Sequence, residues 1–207
     1  MSTSLPKKRV AVLISGRGSN MSALIEAAKN ADFPAEIVAV IANKSDAGGL
    51  DAARAQGIQA YAIPNRDYAS KQQHETAVSE ALHAAKADIV CLAGYMRLLS
   101  PEFVREWEGK MLNIHPSLLP LFRGLHTHDQ ALEAGVRVHG CTVHFVTAGM
   151  DEGPIIAQTA VPVKTGDTAD SLTERVLSVE HETYARALAL VATGKAKMEN
   201  GRTVFSD

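Results

Sequence analysis

The sequence predicts an α/β protein with a Rossmann-like, doubly wound, mostly parallel sheet and an antiparallel hairpin at the sheet edge. In the first half of the chain, short runs rich in valine and isoleucine alternate with longer segments that carry alanine, leucine and glutamate at helical spacing. In the second half, two alternating runs follow each other across a short acidic loop, as in an antiparallel hairpin. Strands that alternate with helices are typical of a parallel sheet covered on both faces.

The first half predicts four strands separated by three helices. Each strand run is short and bounded by turn residues. Right-handed crossovers between such strands give a doubly wound sheet with a ligand crevice at its carboxyl edge. The strands are expected at residues 9–14, 36–42, 59–63 and 88–93, and the helices at residues 20–29, 49–56 and 68–85.

The second half departs from this alternation and contains no repeat or linker, so we predict a single domain over residues 1–207. A further helix is expected to begin at Pro101, after a Ser100 cap. The other predicted elements are strands at 111–115, 138–147 and 155–163, an irregular segment at 116–126, helices at 127–134 and 168–191, and a polar tail at 194–207 with a strand-like patch at 203–205.

Composition excludes several classes of protein. The 21 Lys and Arg against 23 Asp and Glu give a net charge of −2, which argues against a protein that coats nucleic acid or a membrane surface. No apolar run approaches the ~20 residues of a membrane helix, and the run after the basic residues 1–9 is too short for a signal peptide. Cys91 and Cys141 exclude a disulfide scaffold and an all-thiolate metal site. We therefore expect a cytoplasmic protein with reduced thiols.

A glycine-rich turn from Ser15 to Asn20 joins the first strand to the first helix. The N–H groups and the dipole at a helix start favour an anion, and Ser19 or Asn20 is suited to capping the helix or bonding a phosphate oxygen. A dinucleotide fingerprint fails because Met21 stands where a third glycine belongs and Asn43 where an acidic residue belongs. The turn favours a monophosphate site over the alternative of a capped structural turn.

Asn113 and His115 lie two residues apart at the end of a predicted strand, so both side chains face the same side. Pro116 ends the strand and leaves them at the carboxyl edge of the sheet, where such folds place their chemistry. A buried structural histidine is an equal alternative on position alone. Asp151 lies in the hairpin loop, and a carboxylate near His115 would fix its tautomer and make an acid–base group.

Four further histidines lie between residues 126 and 144. The His126-x-His128 pair suggests a metal, but it lies in an irregular segment without a helical or cysteine framework, so we do not predict zinc. His139 and His144 have opposite parity in one strand, so they face opposite sides unless a bulge intervenes. The segment after the fourth strand, with Arg97, is suited to pairing an anionic ligand or a helix end.

Together, these segments resemble the phosphoribosylglycinamide formyltransferase family, the folate-dependent transformylases of purine synthesis. The resemblance extends along almost the whole chain and rests on three separated motifs in the expected order. They are ISGRGSN at 14–20, LNIHPSLLPLFRGLHTH at 112–128, and HGCTVHFVT at 139–147 followed by the 151–154 loop.

The resemblance implies transfer of a formyl group from 10-formyltetrahydrofolate, as cosubstrate, to the amine of glycinamide ribonucleotide. It assigns residues 1–100 to a nucleotide- and phosphate-binding half and 101–207 to a catalytic and folate-binding half. The implied catalytic residues are Asn113, His115 and Asp151. The implied ribonucleotide contacts are Gly18, Ser19, Asn20 and Glu180. The implied folate contacts are Lys71, Met96, Arg97, Leu98, Leu99, Thr147, Ala148, Gly149 and Met150.

The implied reaction is a direct attack of the amine on the formyl carbon, which needs oxyanion donors but no nucleophilic side chain and no metal. We expect small-molecule partners only and a monomer or homodimer. Formyltetrahydrofolate hydrolase and methionyl-tRNA formyltransferase are alternatives, although this chain leaves no room for their usual extra domains. A noncatalytic nucleotide-binding module is a further alternative. Such a module would not require Asn113, His115 and Asp151 to lie together.

Overall fold

The structure, a computed structural model, describes residues 6–206, so the first five residues of the basic N-terminal stretch lie outside it. In chain order, its elements are β1 (Lys8–Ile14), α1 (Ser19–Ala28), β2 (Ala35–Ala42), α2 (Gly48–Ala55), β3 (Gln59–Ala62), α3 (Lys71–Ala84), β4 (Ile89–Leu92), α4 (Pro101–Glu106), β5 (Met111–His115), α5 (Thr127–Glu133), β6 (Val138–Phe145), β7 (Ile155–Pro162), α6 (Ala169–Ala192), β8 (Ala196–Glu199) and β9 (Arg202–Phe205).

Seven strands form one sheet in the order β3-β2-β1-β4-β5-β6-β7, which confirms the predicted fold class. Strands β1 to β5 pair in parallel, whereas β5 with β6 and β6 with β7 pair antiparallel. The chain reverses its direction of winding between β1 and β4. The carboxyl ends of these two strands therefore diverge into loops that border one crevice.

Alternate residues of β1 enter two different cores, as the period of a strand requires. Val10, Val12 and Ile14 pack on one face with α1, α2 and α6, while Ala11 and Leu13 pack on the other with α3 and α4. All five side chains are completely buried. This two-sided burial explains why the strand reads as a continuous apolar run.

One predicted boundary was wrong, and one strand was not predicted. The third helix begins at Lys71 instead of residue 68, because the Ser70 hydroxyl accepts the Gln73 N–H and caps the helix there. The strand-like patch at 203–205 is confirmed as part of β9, which forms a hairpin with the further strand β8. Asn200 and Gly201 both have positive φ, and this Asn-Gly turn is the hairpin signal that the interpretation of the tail overlooked.

Tyr184 fastens α6 to the middle of the sheet. Its ring is fully buried, and its hydroxyl lies 3.0 Å from the Leu92 carbonyl and 3.2 Å from the Leu112 carbonyl. The Leu92 carbonyl lies at the carboxyl end of β4, and the Leu112 carbonyl lies in the first half of the adjacent β5. The longest helix of the described region is thus held beside the strands that lead into the crevice. None of the helices in residues 6–206 is long and apolar enough to cross a membrane.

We predict that Tyr184→Phe lowers the free energy of unfolding by about 1–2 kcal/mol, because the buried hydroxyl loses its carbonyl partners. Urea-induced equilibrium unfolding measures the change. Tyr61→Phe is the matched control, since Tyr61 is 39% exposed on the edge strand β3. Equal losses of stability in the two variants would contradict the role of the Tyr184 hydroxyl.

Candidate active site

The turn after β1 places a helix start at the crevice. Gly18 occupies the cap position of α1 in the left-handed conformation, with φ +69°, and no side chain caps the helix. Of the two roles considered for Ser19 and Asn20, capping the helix does not occur, because the helix already begins at Ser19. The first N–H groups of a helix lack partners within it, so this start is available to an anion.

Gly49 of α2 supports the turn from behind. Its N–H donates to the Gly16 carbonyl at 3.1 Å. A Cβ at Gly49 would lie 2.4 Å from Ile14 Cδ1 and 3.1 Å from the Arg17 carbonyl oxygen. Only a residue without a side chain allows this close approach, so α2 fixes the shape of the turn.

Asn20 and Glu180, which are 160 residues apart in sequence, meet at the start of α1. Asn20 Nδ2 donates to Glu180 Oε2 at 2.7 Å, and both side chains are buried. Burial raises the pKa of Glu180, and the hydrogen bond from Asn20 opposes that change. Asn20 Oδ1 is buried without a partner among the described residues. This side of the crevice therefore offers one carboxyl group and one unpaired amide oxygen.

Asn113 and His144 face each other across β5 and β6. The His144 Nδ1 lies 2.8 Å from the Phe145 carbonyl, which can only accept, so Nδ1 carries the proton. Its Nε2 then accepts from Asn113 Nδ2 at 3.2 Å. Burial lowers the pKa of His144, which agrees with a neutral ring. The amide of Asn113 is held by one N–H, and its second N–H remains for a ligand.

His115 lies between two loops. Its Nε2 donates to the Phe122 carbonyl at 3.0 Å, and its Nδ1 lies 3.5 Å from Asp151 Oδ2. The same Asp151 oxygen accepts the Gly124 N–H at 2.9 Å, while Oδ1 lies 4.0 Å from His144 Nε2. Asp151 has φ +53°, a conformation that only a minority of non-glycine residues adopt. The structure thus brings the predicted trio together around one carboxylate.

His144 is the residue of this cluster that sequence reasoning missed. In the unshifted β5–β6 pairing His144 stands directly opposite Asn113, and alternation along β6 turns it away from the core that contains Val143 and Phe145, so the period of the strand was the available signal. Gly153 adjoins this position, and a Cβ there would lie 1.7 Å from the Phe145 carbonyl oxygen. The strand reaches this close approach only beside a glycine.

The remaining histidines stand outside this arrangement. His139 is buried between Phe122 and His128, with ring centroids 5.8 and 5.2 Å away, and burial lowers its pKa to about 4. His126 is exposed, with Nδ1 3.8 Å from Asp129 Oδ2. Within residues 6–206, no three His, Cys, Asp or Glu side chains are arranged to hold a metal ion.

The segment predicted to border the folate follows β4. Met96 and Leu98 are exposed, whereas Arg97 and Leu99 are partly buried. The Met96 N–H donates to Ser15 Oγ at 2.8 Å, which ties this loop to the turn after β1.

The other five predicted folate contacts lie on two separate segments. Lys71, at the start of α3, lies 3.8 Å from Glu75, whose carboxylate accepts the Ser100 N–H at the end of the 96–99 loop. In the loop after β6, Thr147 and Gly149 are partly buried, and Ala148 and Met150 are exposed.

Comparisons with known proteins identify the family to which this chain is similar. Residues 8–188 match the model of the formyl transferase family. The chain is 45% identical over 189 residues to phosphoribosylglycinamide formyltransferase of Escherichia coli, covering 91% of this chain and 89% of that protein. It is 54% identical over 199 residues to the trifunctional purine biosynthetic protein adenosine-3 of Bos taurus, covering 95% of this chain but only 20% of that protein.

Solved structures show the same fold. Glycinamide ribonucleotide transformylase 1 from Symbiobacterium toebii superposes with a TM-score of 0.94 at 46% identity, covering 97% of this chain and 95% of that one. A formyltetrahydrofolate deformylase from Pseudomonas syringae superposes with a TM-score of 0.89 at 30% identity, and this chain covers 67% of its length. The related scaffold therefore occurs in both transferases and deformylases.

These findings define an enzyme built on the formyl transferase scaffold. The chain belongs to the formyl transferase family. Within that family, the predicted resemblance to the phosphoribosylglycinamide formyltransferases is confirmed by relatives that match over most of their length.

We predict that Glu180→Gln stabilises the protein at neutral pH and that this gain disappears on acidification. A carboxyl group whose pKa is higher in the folded state binds more protons there, so its contribution to stability is lost as the pH rises above its ordinary value of 4.5. Urea unfolding of both proteins between pH 4 and 8 measures the difference. Because Gln can still accept the Asn20 N–H, a difference that is constant with pH would contradict the raised pKa.

Proposed function

We propose that the protein transfers the formyl group of 10-formyltetrahydrofolate to the amine of glycinamide ribonucleotide in de novo purine biosynthesis. The observation that carries this proposal is the meeting of Asn113, His115 and Asp151 beside a helix start suited to a phosphate. The names and the coverage of the single-function relatives support the same substrates. The reaction is a direct attack that passes through a tetrahedral intermediate.

The ribonucleotide is proposed to bind at the start of α1. Its phosphate oxygens accept hydrogen bonds from the backbone N–H groups of Gly18, Ser19 and Asn20. The helix dipole adds a positive potential there, which favours the phosphate. Glu180 accepts a hydrogen bond from a ribose hydroxyl, because the buried carboxylate is held in place by Asn20. The glycinamide amine then extends towards the end of β5.

Asn113 and His115 are the proposed oxyanion donors. The amine nitrogen bonds to the formyl carbon, and the carbonyl electron pair moves to the oxygen. The second N–H of Asn113 donates to that oxygen, with the amide oriented by His144. At 3.5 Å from Asp151, His115 Nδ1 makes no close hydrogen bond with the carboxylate, so a protonated His115 has an N–H available for the oxyanion or a bridging water.

Asp151 is proposed to assist transfer of the proton that the attacking amine loses. Its carboxylate orients a water that carries the proton from the attacking amine to the departing folate nitrogen. The carbon–nitrogen bond to the folate then breaks, and the carbonyl of the formylated product reforms. Each developing charge meets a protein group, so the proposed reaction uses no metal.

The folate is proposed to lie between the segments after β4 and β6. Met96, Leu98 and Leu99 provide apolar contact on one side, and Arg97 pairs with a carboxylate of the ligand. The opposite side is formed by Thr147, Ala148, Gly149 and Met150. Lys71 contacts the ligand tail from the start of α3.

We propose that the protein acts in the cytoplasm as a monomer or homodimer, without nucleic acid or membrane partners. The net charge of −2 supports this proposal, since polyanion binding needs a cationic excess.

Hydrolysis of the folate donor is the second candidate function, because a deformylase shares the scaffold at 30% identity. Formate released without ribonucleotide, at a rate comparable to transfer, would favour hydrolysis.

We predict that wild-type protein formylates glycinamide ribonucleotide and that His115→Ala lowers kcat roughly 10²- to 10⁴-fold, because the acid–base group is lost. Product formation from both substrates is the measurement. His83→Ala is the control, since that histidine is exposed and pairs with Glu106 on α4. Full turnover by folded His115→Ala would refute the catalytic assignment, and an inactive wild type would refute the function.

We predict that Ser19→Asp raises the KM for the ribonucleotide more than tenfold and leaves the KM for the folate nearly unchanged. The new carboxylate would repel a phosphate at the start of α1 at close range. Ser22→Asp is the matched control, because it adds the same charge to an exposed position one turn further along the helix. A similar ribonucleotide KM for the two variants would contradict the proposed phosphate position.

A further inference from the structure

Two loops flank His115 and are joined by an ion pair outside the trio. One loop, residues 116–126, follows β5, and the other, residues 146–154, connects β6 to β7. The Arg123 guanidinium of the first loop pairs through Nη1 with Glu152 Oε1 of the second. A charged contact therefore links the two segments that hold the imidazole from either side.

The position of Asp151 depends on contact between these loops, since it belongs to neither a helix nor a strand. Asp151 Oδ2 accepts the Gly124 N–H at 2.9 Å and lies 3.5 Å from His115 Nδ1. One oxygen thus connects the neighbouring loop to the imidazole. Separation of the loops would break the hydrogen bond between Gly124 and Asp151 and would change the distance between Asp151 and His115.

The two residues of the ion pair are sequence neighbours of the two residues in the Gly124–Asp151 hydrogen bond. Arg123 directly precedes the donor Gly124, and Glu152 directly follows the acceptor Asp151. The Glu152 carboxylate lies against Gly149, where a Cβ would come within 2.2 Å of Oε2. The loop after β6 is therefore folded closely around this carboxylate, and a larger residue at Gly149 would displace it.

Arg123 is anchored on its own side as well. Its carbonyl accepts from Gln130 Nε2 of α5 at 3.2 Å, and the same amide nitrogen donates to the Leu125 carbonyl at 2.8 Å. The backbone that carries the Gly124 N–H is thus fixed to a helix. Each charge is held by its own loop, so their attraction acts between the loops.

We propose that Arg123 and Glu152 are positioning residues for formyl transfer, whose ion pair keeps the Gly124–Asp151 hydrogen bond closed and orients the carboxylate beside His115. The kinetic part of this inference rests on the proposed function. The two side chains are 41% and 52% exposed, so removing the pair has little effect on global stability. Its effect falls on kcat, because the pair acts on the catalytic carboxylate through the loop.

The kinetic test compares Arg123→Gln, Glu152→Gln, the double variant and the charge-swapped Arg123→Glu/Glu152→Arg protein. Each single variant is expected to lower kcat about threefold to fivefold, with both KM values within about twofold of wild type. The double variant should lose no more than either single variant, and the swap should recover most of kcat.

Two results would overturn the proposal. Additive losses would show that the two charges act separately. If the charge-swapped protein does not recover kcat and its KM for either substrate rises, one of the two charges binds substrate directly. Arg105→Gln is the matched control, because it breaks the exposed pair with Glu102 on α4, and its kcat should equal that of wild type.

A second readout does not depend on turnover. Amide hydrogen exchange at Gly124 is expected to be faster in both single variants and the double variant, and close to wild type in the swapped and Arg105→Gln proteins. Unchanged exchange in the single variants would overturn the proposal. If the variants showed this exchange pattern but wild-type protein catalysed no formyl transfer, the positioning of Asp151 by the ion pair would stand and the proposed function would fall.

Discussion

Parallel strands end at the same edge of a sheet, and the site depends on this constraint. Because β1, β4 and β5 are hydrogen-bonded neighbours, the segments that follow them border one crevice. The helix start at Ser19, the loop with Arg97, and the pair of Asn113 and His115 all follow these strand ends. Tyr184 holds α6 against β4 and β5, which also brings Glu180 to the crevice.

Buried hydrogen bonds connect the regions proposed to bind the two substrates. Ser15 Oγ donates to Asn43 Oδ1 at 2.5 Å and accepts the Met96 N–H at 2.8 Å. Both Ser15 and Asn43 are buried, so an unpaired polar group at either position would be costly. The turn proposed for the phosphate and the loop proposed for the folate therefore share one rigid framework, which fixes their separation.

The near-neutral charge of the chain is compatible with the two proposed anionic substrates, because each anion would be bound by a few local groups. A helix start offers N–H groups to a phosphate without a basic residue, and a single cation suffices for a carboxylate. The buried Glu180 would meet a hydroxyl and not a charge. A net charge of −2 is therefore compatible with the proposed small anionic substrates.

Local sequence determined most of the fold. The apolar period of β1, the Ser100 cap before α4 and the alternation along β6 are properties of contiguous residues, so they predict elements without knowledge of packing. The spacing of Asn113 and His115 likewise placed both on one side of β5. The Asn200-Gly201 hairpin was equally readable, because its turn chemistry is local.

Tertiary structure alone decided which distant groups meet. The contacts of Asn113 with His144, of His115 with Asp151 and of Asn20 with Glu180 span 31, 36 and 160 residues, and no periodicity encodes them. The family resemblance implied the trio but not His144 or the pairing of Arg123 with Glu152. His144 meets Asn113 only through the pairing of β5 with β6, and Arg123 meets Glu152 only when the two loops pack against one another.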